Sequence, residues 1–340
     1  MTTQVAFLFP GQGSQAVGMG ADIFAASEAA KRVFTAVDDA LGLSLSTLCF
    51  EGPEETLRDT INAQPAIVAV SLAFLAAFQE ALSPEAFTWS SPLTPDYLAG
   101  HSVGEWTALA VSGALDLRET LLAVRERGRL MEHEGTQCPG SMAAVIGMDT
   151  QTLQEICQEA TQQALSELAT PAHPGEGRVV IANYNAPGQI VLSGERQALK
   201  LASELAKSRG AKRVIPLAVS GAFHSPIMQP AADGLALVLS DMHIADARIP
   251  VIGNITASPL STSEELRNEL AKQVAASIRW DDTIRYMVQA GVKTFIEIGP
   301  GQALTGMVKR IAKGINTINV GNVTDLEKAV SYVRENGVAG

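Results

Sequence analysis

Three times along the chain a short, largely apolar run enters a glycine-rich turn and then a helical pattern. The stretches are VAFLFPGQG at 5–13, YLAGHSVGEW at 97–106 and VKTFIEIGPGQAL at 292–304. A run such as VAFLF has no polar alternation, so it suits a strand covered on both faces. Such strands belong to parallel sheets, whose crossover helices supply the cover. The recurrence therefore predicts an α/β fold with a mainly parallel sheet.

Residues 142–218 have a different rhythm. MAAVIGM reads as a strand, TLQEICQEATQQALSEL as a helix, RVVIANY and GQIVLSG as strands joined at NAPG, RQALKLASELAKSRG as a helix and KRVIPLAV as a strand. This β-α-β-β-α-β order is the ferredoxin-like pattern. It predicts a small domain at 136–218 inserted into a large one formed by 1–135 and 219–340. Elsewhere, IFAASEAAKRVFTAVDDAL reads as one helix, and Pro65 as a first-turn residue of the apolar helix after it. IPVIGN at 249–254 reads as a strand. The segments 83–95 and 169–177 read as loops without obvious chemistry.

Composition excludes several classes of function. The formal charge of −11 disfavours nucleic acid, which needs a basic face. Cys49, Cys138 and Cys157 show neither metal nor redox spacing, so no metal, cofactor or disulfide framework is expected. The N-terminus lacks the basic start of a signal peptide, and the longest apolar run, 66–78, is too short to span a bilayer. The expectation is a cytoplasmic protein with no membrane partner.

The chemistry centres on Gly100-His101-Ser102-Val103-Gly104. A serine flanked by glycines two residues away, between strand and helix, is the pattern of a sharp turn that presents a nucleophile. The Val103 N–H would then face an oxyanion formed at that serine. The serine needs a base. His101 is adjacent and should point away. His173, His133 and His243 lie in a loop, at a charged helix end and in a polar stretch. His224 follows a strand and a small-residue turn, where open α/β sheets gather their sites, although an ordinary loop histidine fits there too. FPGQGSQ at 9–15 lacks the phosphate-loop pattern and reads better as a turn offering backbone N–H groups to an anion. In DLRETLLAVRERGRLMEHE the apolar stripe is Leu117, Leu121, Val124 and Met131. Arg125 and Arg127 border it on opposite sides and Arg129 lies further out, so periodicity leaves the first two open.

Taken together, FPGQGSQ, QPAIVAVS, GHSVGEW, RERGRLM, ANYNAPGQIVLSG, GAFHSPIM and EIGPGQALTGMVKR resemble the malonyl-CoA:acyl carrier protein transacylases and the related polyketide acyltransferases. They occur in family order from residue 9 to 310. The resemblance implies an α/β-hydrolase-like large domain carrying the ferredoxin-like insert. It implies Ser102 as the acylated nucleophile, His224 as its base, and Gln273 as the residue whose main-chain carbonyl orients the histidine. It implies Arg127 as the holder of the malonyl carboxylate, and Gln12 and Val103 as oxyanion donors. Phe223 and Val103 fit malonyl better than methylmalonyl. The implied partners are malonyl-CoA and a phosphopantetheinylated acyl carrier protein, serving fatty acid or polyketide synthesis, and the implied state is a monomer.

Departures from the family pattern are modest: Trp106 stands where tyrosine is common, and the 83–95 and 169–177 loops are long. Docking an acidic carrier protein on an acidic chain needs a local basic patch, for which Lys309, Arg310, Lys313, Lys207, Arg209, Lys212 and Arg213 are the candidates. Two rival readings use the same residues differently: a serine hydrolase with water as acceptor, and a non-catalytic module that binds carrier protein.

Overall fold

The computed structural model describes residues 4–83, 93–168 and 170–336. Among the described residues ten strands form two sheets. β1 (Gln4–Phe9), β2 (Tyr97–Gly100), β7 (Val251–Ile252), β8 (Pro259–Leu260), β9 (Val292–Ile298) and β10 (Asn316–Val320) make a sheet of order β10-β9-β1-β2-β7-β8. Every pairing is parallel except β7 with β8. β1 sits mid-sheet, and Val5 to Phe9 are all buried, as an uninterrupted apolar strand requires.

The second sheet contains β3 (Gly140–Ile146), β4 (Val179–Ala186), β5 (Gln189–Glu195) and β6 (Arg213–Pro216) in the order β4-β5-β3-β6, all antiparallel. Helices Thr150–Ser166 and Arg196–Ser208 lie between its strands in sequence, so the β-α-β-β-α-β order holds. This sheet covers its own apolar cluster, with Leu153, Ile156, Ile181, Leu192 and Leu199 at its centre. The second sheet is tied to the segment that precedes helix Trp280–Gln289, where the Tyr184 N–H donates to the Ile278 carbonyl at 2.9 Å and the Ile278 N–H to that of Ala182 at 2.8 Å.

Helix Thr60–Leu82 is long and apolar enough to cross a membrane, yet 89% of its most apolar window is buried inside the protein. It is the core helix of the parallel-sheet layer. Pro65 is not in its first turn: the helix begins at Thr60, and the Asn62 and Ala63 N–H groups bond to the Asp59 carbonyl. The mixed segment Thr-Ile-Asn-Ala-Gln thus extends the helix upstream of the continuous apolar run.

The single helix read at 23–41 is two, Ala21–Ala26 and Glu28–Leu41. Ser27 adopts an extended conformation and its hydroxyl accepts from the Ala30 N–H, capping the second helix. Strand β7 is two residues long, shorter than IPVIGN suggested. β8, β10 and helix Val323–Asn336 had no sequence reading. Most of the 83–95 loop, residues 84–92, and residue 169 lie outside the described residues. The rest of the second loop is anchored: His173 Nε2 is 3.3 Å from Glu134 Oε2, and a Cβ on Gly175 would meet Ile227 at 2.3 Å.

Candidate active site

β1, β2 and β7 deliver their C-terminal ends to one place. Ser102 follows β2 and precedes helix Gly104–Ser112. The two flanking glycines are steric requirements: a Cβ on Gly100 would lie 1.9 Å from the Gly104 carbonyl carbon, and one on Gly104 would lie 2.2 Å from the Phe9 carbonyl oxygen. Ser102 itself has φ 52°, in the left-handed region that a non-glycine residue enters at a cost of about 1–3 kcal/mol. Asn254, just past β7, holds it there. Its Oδ1 accepts from the Ser102 N–H at 2.7 Å and its Nδ2 donates to the Gly100 carbonyl at 2.7 Å.

His224 is the histidine that meets the serine. Its Nε2 lies 2.8 Å from Ser102 Oγ, and its Nδ1 lies 2.9 Å from the Gln273 main-chain carbonyl. A carbonyl can only accept, so Nδ1 carries the proton and Nε2 presents its lone pair to the serine hydroxyl. His224 also has a left-handed backbone, φ 57°, fixed by its N–H donating to the Val274 carbonyl at 3.0 Å. Burial, and then the Arg127 charge, push its pKa down to about 3. The resting imidazole is neutral. His101 turns away, as expected, to Asn185 Oδ1 at 2.9 Å.

The arginine choice that periodicity left open is settled by burial. Arg127 is 1% exposed. Arg125 is only partly covered, and Arg129 points to solvent in an ion pair with Glu126. Arg127 donates from NH1 to Gln64 Oε1 at 2.6 Å, and from NH2 to Gln273 Oε1 at 3.0 Å and Ser102 Oγ at 3.1 Å. Among the described residues its Nε–H has no partner. Burial lowers its pKa to about 9, and it remains a cation at neutral pH. The site thus holds a buried cation, with an unused donor, in contact with a serine already hydrogen-bonded to a neutral imidazole.

Val103 precedes the first helical residue, so its N–H has no acceptor within the helix and lies beside Ser102. The Gly11–Gln12 turn packs on the same elbow, since a Cβ on Gly11 would meet the His101 carbonyl oxygen at 2.4 Å. The Gln12 side chain bonds to Thr60 Oγ1 at 3.2 Å and accepts from Gln64 Nε2 at 3.4 Å, linking that turn to the arginine's partner. Phe223 is buried next to His224.

Sequence reasoning missed four features: the roles of Gln64, Asn254 and Glu105, and the Gln273 carboxamide. Gln64 opens the QPAIVAVS stretch, which was assigned no role. The others lie far from Ser102 in sequence or, like Glu105, looked like ordinary helix residues. Among the described residues no cluster of metal-ligating side chains occurs, and the three cysteines are free and buried, with thiols raised to about 11 at Cys138 and about 12 at Cys49 and Cys157.

Residues 6–330 match the family model of the acyl transferase domain. The malonyl CoA-acyl carrier protein transacylase of Bacillus subtilis is 42% identical over 334 residues, covering 98% of each chain. That of Escherichia coli K12 is 36% identical over 310 residues, 91% of this chain and 93% of its own. Among solved structures, an acyl-carrier-protein-S-malonyltransferase from Bartonella henselae superposes with a TM-score of 0.87 at 39% identity, covering 98% of this chain and 100% of that one. A malonyl-transacylase in complex with its type II PKS acyl-carrier protein gives 0.88 at 34% identity, over 97% and 100%. The chain belongs to the acyl transferase domain family.

Proposed function

We propose that this protein transfers the malonyl group of malonyl-CoA to the phosphopantetheine thiol of an acyl carrier protein, through an ester on Ser102. The observation that carries the reading is Arg127, a buried guanidinium 3.1 Å from the serine oxygen. A cation there has a use if the acyl group brings its own carboxylate, which a guanidinium grips with two parallel hydrogen bonds. Acetyl-CoA would leave that charge unpaired.

The steps follow from the geometry. His224 Nε2 takes the hydroxyl proton as Ser102 Oγ attacks the thioester carbon. The Gln12 and Val103 N–H groups receive the oxyanion, and coenzyme A leaves as its thiol. The carrier-protein thiol then attacks the seryl ester with His224 again as base, returning Ser102. The Gln273 carbonyl takes the place of a triad's acid. Arg127 weakens the resting base, since one cation disfavours forming another beside it. A malonyl carboxylate on Arg127 cancels that effect, so the correct substrate strengthens the base that will act on it. Phe223, buried beside the base, leaves little room for an α-methyl group.

The parallel sheet with its serine turn after β2 supports an α/β-hydrolase-like large domain, 1–135 and 219–340. The β4-β5-β3-β6 order supports a ferredoxin-like insert at 136–218. For carrier-protein docking, Lys309, Arg310, Lys313, Lys207, Lys212 and Arg213 are all exposed, while Arg209 pairs with Glu159.

The test is intact-protein mass after brief exposure to malonyl-CoA, acetyl-CoA and methylmalonyl-CoA in turn, with Ser102→Ala as control. A malonyl adduct absent from the variant, and discharged onto added carrier protein, is the expected result. Coenzyme A release without a transferable adduct would identify a hydrolase instead.

A further inference from the structure

Glu105 is fully buried one helical turn from the elbow, and nothing in the reaction above uses it. Its Oε1 accepts from the Asn254 N–H at 3.2 Å and its Oε2 accepts from Gln273 Nε2. The same Nε2 donates to the Ser102 carbonyl at 3.0 Å, while Gln273 Oε1 faces Arg127. An amide has a donor end and an acceptor end, and Gln273 stands between two groups that each tolerate only one of them. A carboxylate only accepts and a guanidinium only donates. With the Glu105 carboxylate and the Ser102 carbonyl both accepting, the amide turns its NH2 toward them and so its oxygen toward Arg127. Reversed, it would set NH2 against guanidinium N–H, and the arginine would have to leave its seat.

We propose that Glu105 is a positioning residue for substrate selection: it fixes the polarity of the Gln273 carboxamide, and through it the orientation in which Arg127 awaits an acyl carboxylate. The proposal rests on the assignment of Arg127 as the malonyl clamp. It assigns to Glu105 a part in choosing the acyl group rather than in breaking or making bonds. Burial first, and the charge of nearby Glu269 second, hold the Glu105 carboxyl well above the usual carboxylate range. Yet in this geometry both of its oxygens accept, from the Asn254 N–H and from Gln273 Nε2, while Glu269 accepts from the Ile255 N–H at 2.5 Å.

The test is E105Q, which keeps shape but offers an NH2 that can donate to a reversed Gln273. Acylation is followed by intact mass with malonyl-CoA and acetyl-CoA, after a thermal melt has established folding. We expect kcat/KM for malonyl-CoA to fall about 10- to 100-fold. The acetyl-CoA rate should stay within about threefold, because Ser102 and His224 are untouched. E105D removes more packing but keeps an acceptor-only group, and should retain more of the malonyl preference than E105Q. A purely structural role predicts the reverse order, since the shorter side chain leaves the larger void.

In an Arg127→Ala background, E105Q should add little to the loss of preference, since it acts through the missing residue. An unchanged malonyl-to-acetyl ratio in E105Q, or an equal fall with both substrates, would overturn the proposal. Should E105Q not fold, E105D decides: it keeps an acceptor-only group, so a malonyl-to-acetyl ratio within about threefold of the parent protein is expected, and a ratio as low as that of Arg127→Ala would overturn the proposal. Failure of the clamp assignment shows separately, as an Arg127→Ala single variant that keeps its malonyl preference.

Discussion

The two halves of the site are held by different means. The Ser102 elbow is shaped by backbone: two glycines with no room for a methyl group, a left-handed serine, and a strand end fixed by the parallel sheet. The proposed Arg127 clamp is shaped by side chains from three other elements, Gln64, Gln273 and, behind it, Glu105. Backbone sterics are unforgiving and local, whereas a polar network tolerates change in one member at the expense of the others' orientation. The elbow should therefore fail by unfolding, and the clamp by losing discrimination.

The largest expected effect is on the elbow. Gly100→Ala would place a methyl group 1.9 Å from the backbone of Gly104, where no rotamer change can help. We expect a loss of about 3 kcal/mol or more in unfolding free energy, measured by chemical denaturation. A variant of near-native stability would mean that the turn can open, and the contrast between rigid elbow and adjustable clamp would fail.

Arg127→Ala comes next and should spare the fold relative to that. Its kcat/KM for malonyl-CoA should fall about 100-fold or more, while acetyl-CoA is accepted better than before. The same variant tests the electrostatics. Burial first and the Arg127 cation second hold His224 at about 3, against an ordinary value of 6.5. Removing a nearby cation makes the imidazolium easier to form, so the pKa of His224 should rise. With acetyl-CoA as substrate for both proteins, the acid limb of the acylation profile should move to higher pH in the variant. A limb that stays put would mean that burial alone sets the base.

This division also explains what could be read from sequence. Gly100 and Gly104 announce themselves because their constraint is local, and VAFLF and YLAG announce a parallel sheet because burial on both faces removes alternation. His224 was only one of several plausible histidines by position, and Arg127 one of two arginines at the edge of an apolar stripe. The family resemblance singled out both, and their distances from Ser102 bring them together. Asn254, Glu105 and the Gln273 amide gave no signal at all. Their meaning lies in contacts across 146 to 171 residues of chain, which no local pattern encodes. The break at Ser27 and the early start at Thr60 were lost for a related reason, since capping and upstream packing moved helix ends away from the apolar rhythm.

Asn254→Ala should show a smaller effect that belongs wholly to the elbow. It leaves the Ser102 N–H and the Gly100 carbonyl without their partner, a destabilisation of about 2 kcal/mol. The turn would then sample other conformations, lowering kcat with malonyl-CoA and acetyl-CoA alike, about tenfold, with their ratio unchanged. A shift in that ratio would show that elbow and clamp are one unit after all.

The smallest expected effect tests the clamp from its own helix. Arg129 follows Arg127 by two residues, about 200° around the axis, and so faces the opposite way. Its NH2 lies 2.6 Å from Glu126, with the two side chains 53% and 32% exposed. A pair this open to solvent contributes about 0.5 kcal/mol or less, since water screens the charges and both side chains lose freedom to meet. Arg129→Ala should therefore leave stability within that margin and the malonyl-to-acetyl ratio untouched. Its side chain has the same chemistry as Arg127 and nearly the same place in sequence, so only burial and partners differ. If removing Arg129 altered acyl preference, charge in this helix would act at long range, and the specific geometry at Arg127 would no longer explain the choice of substrate.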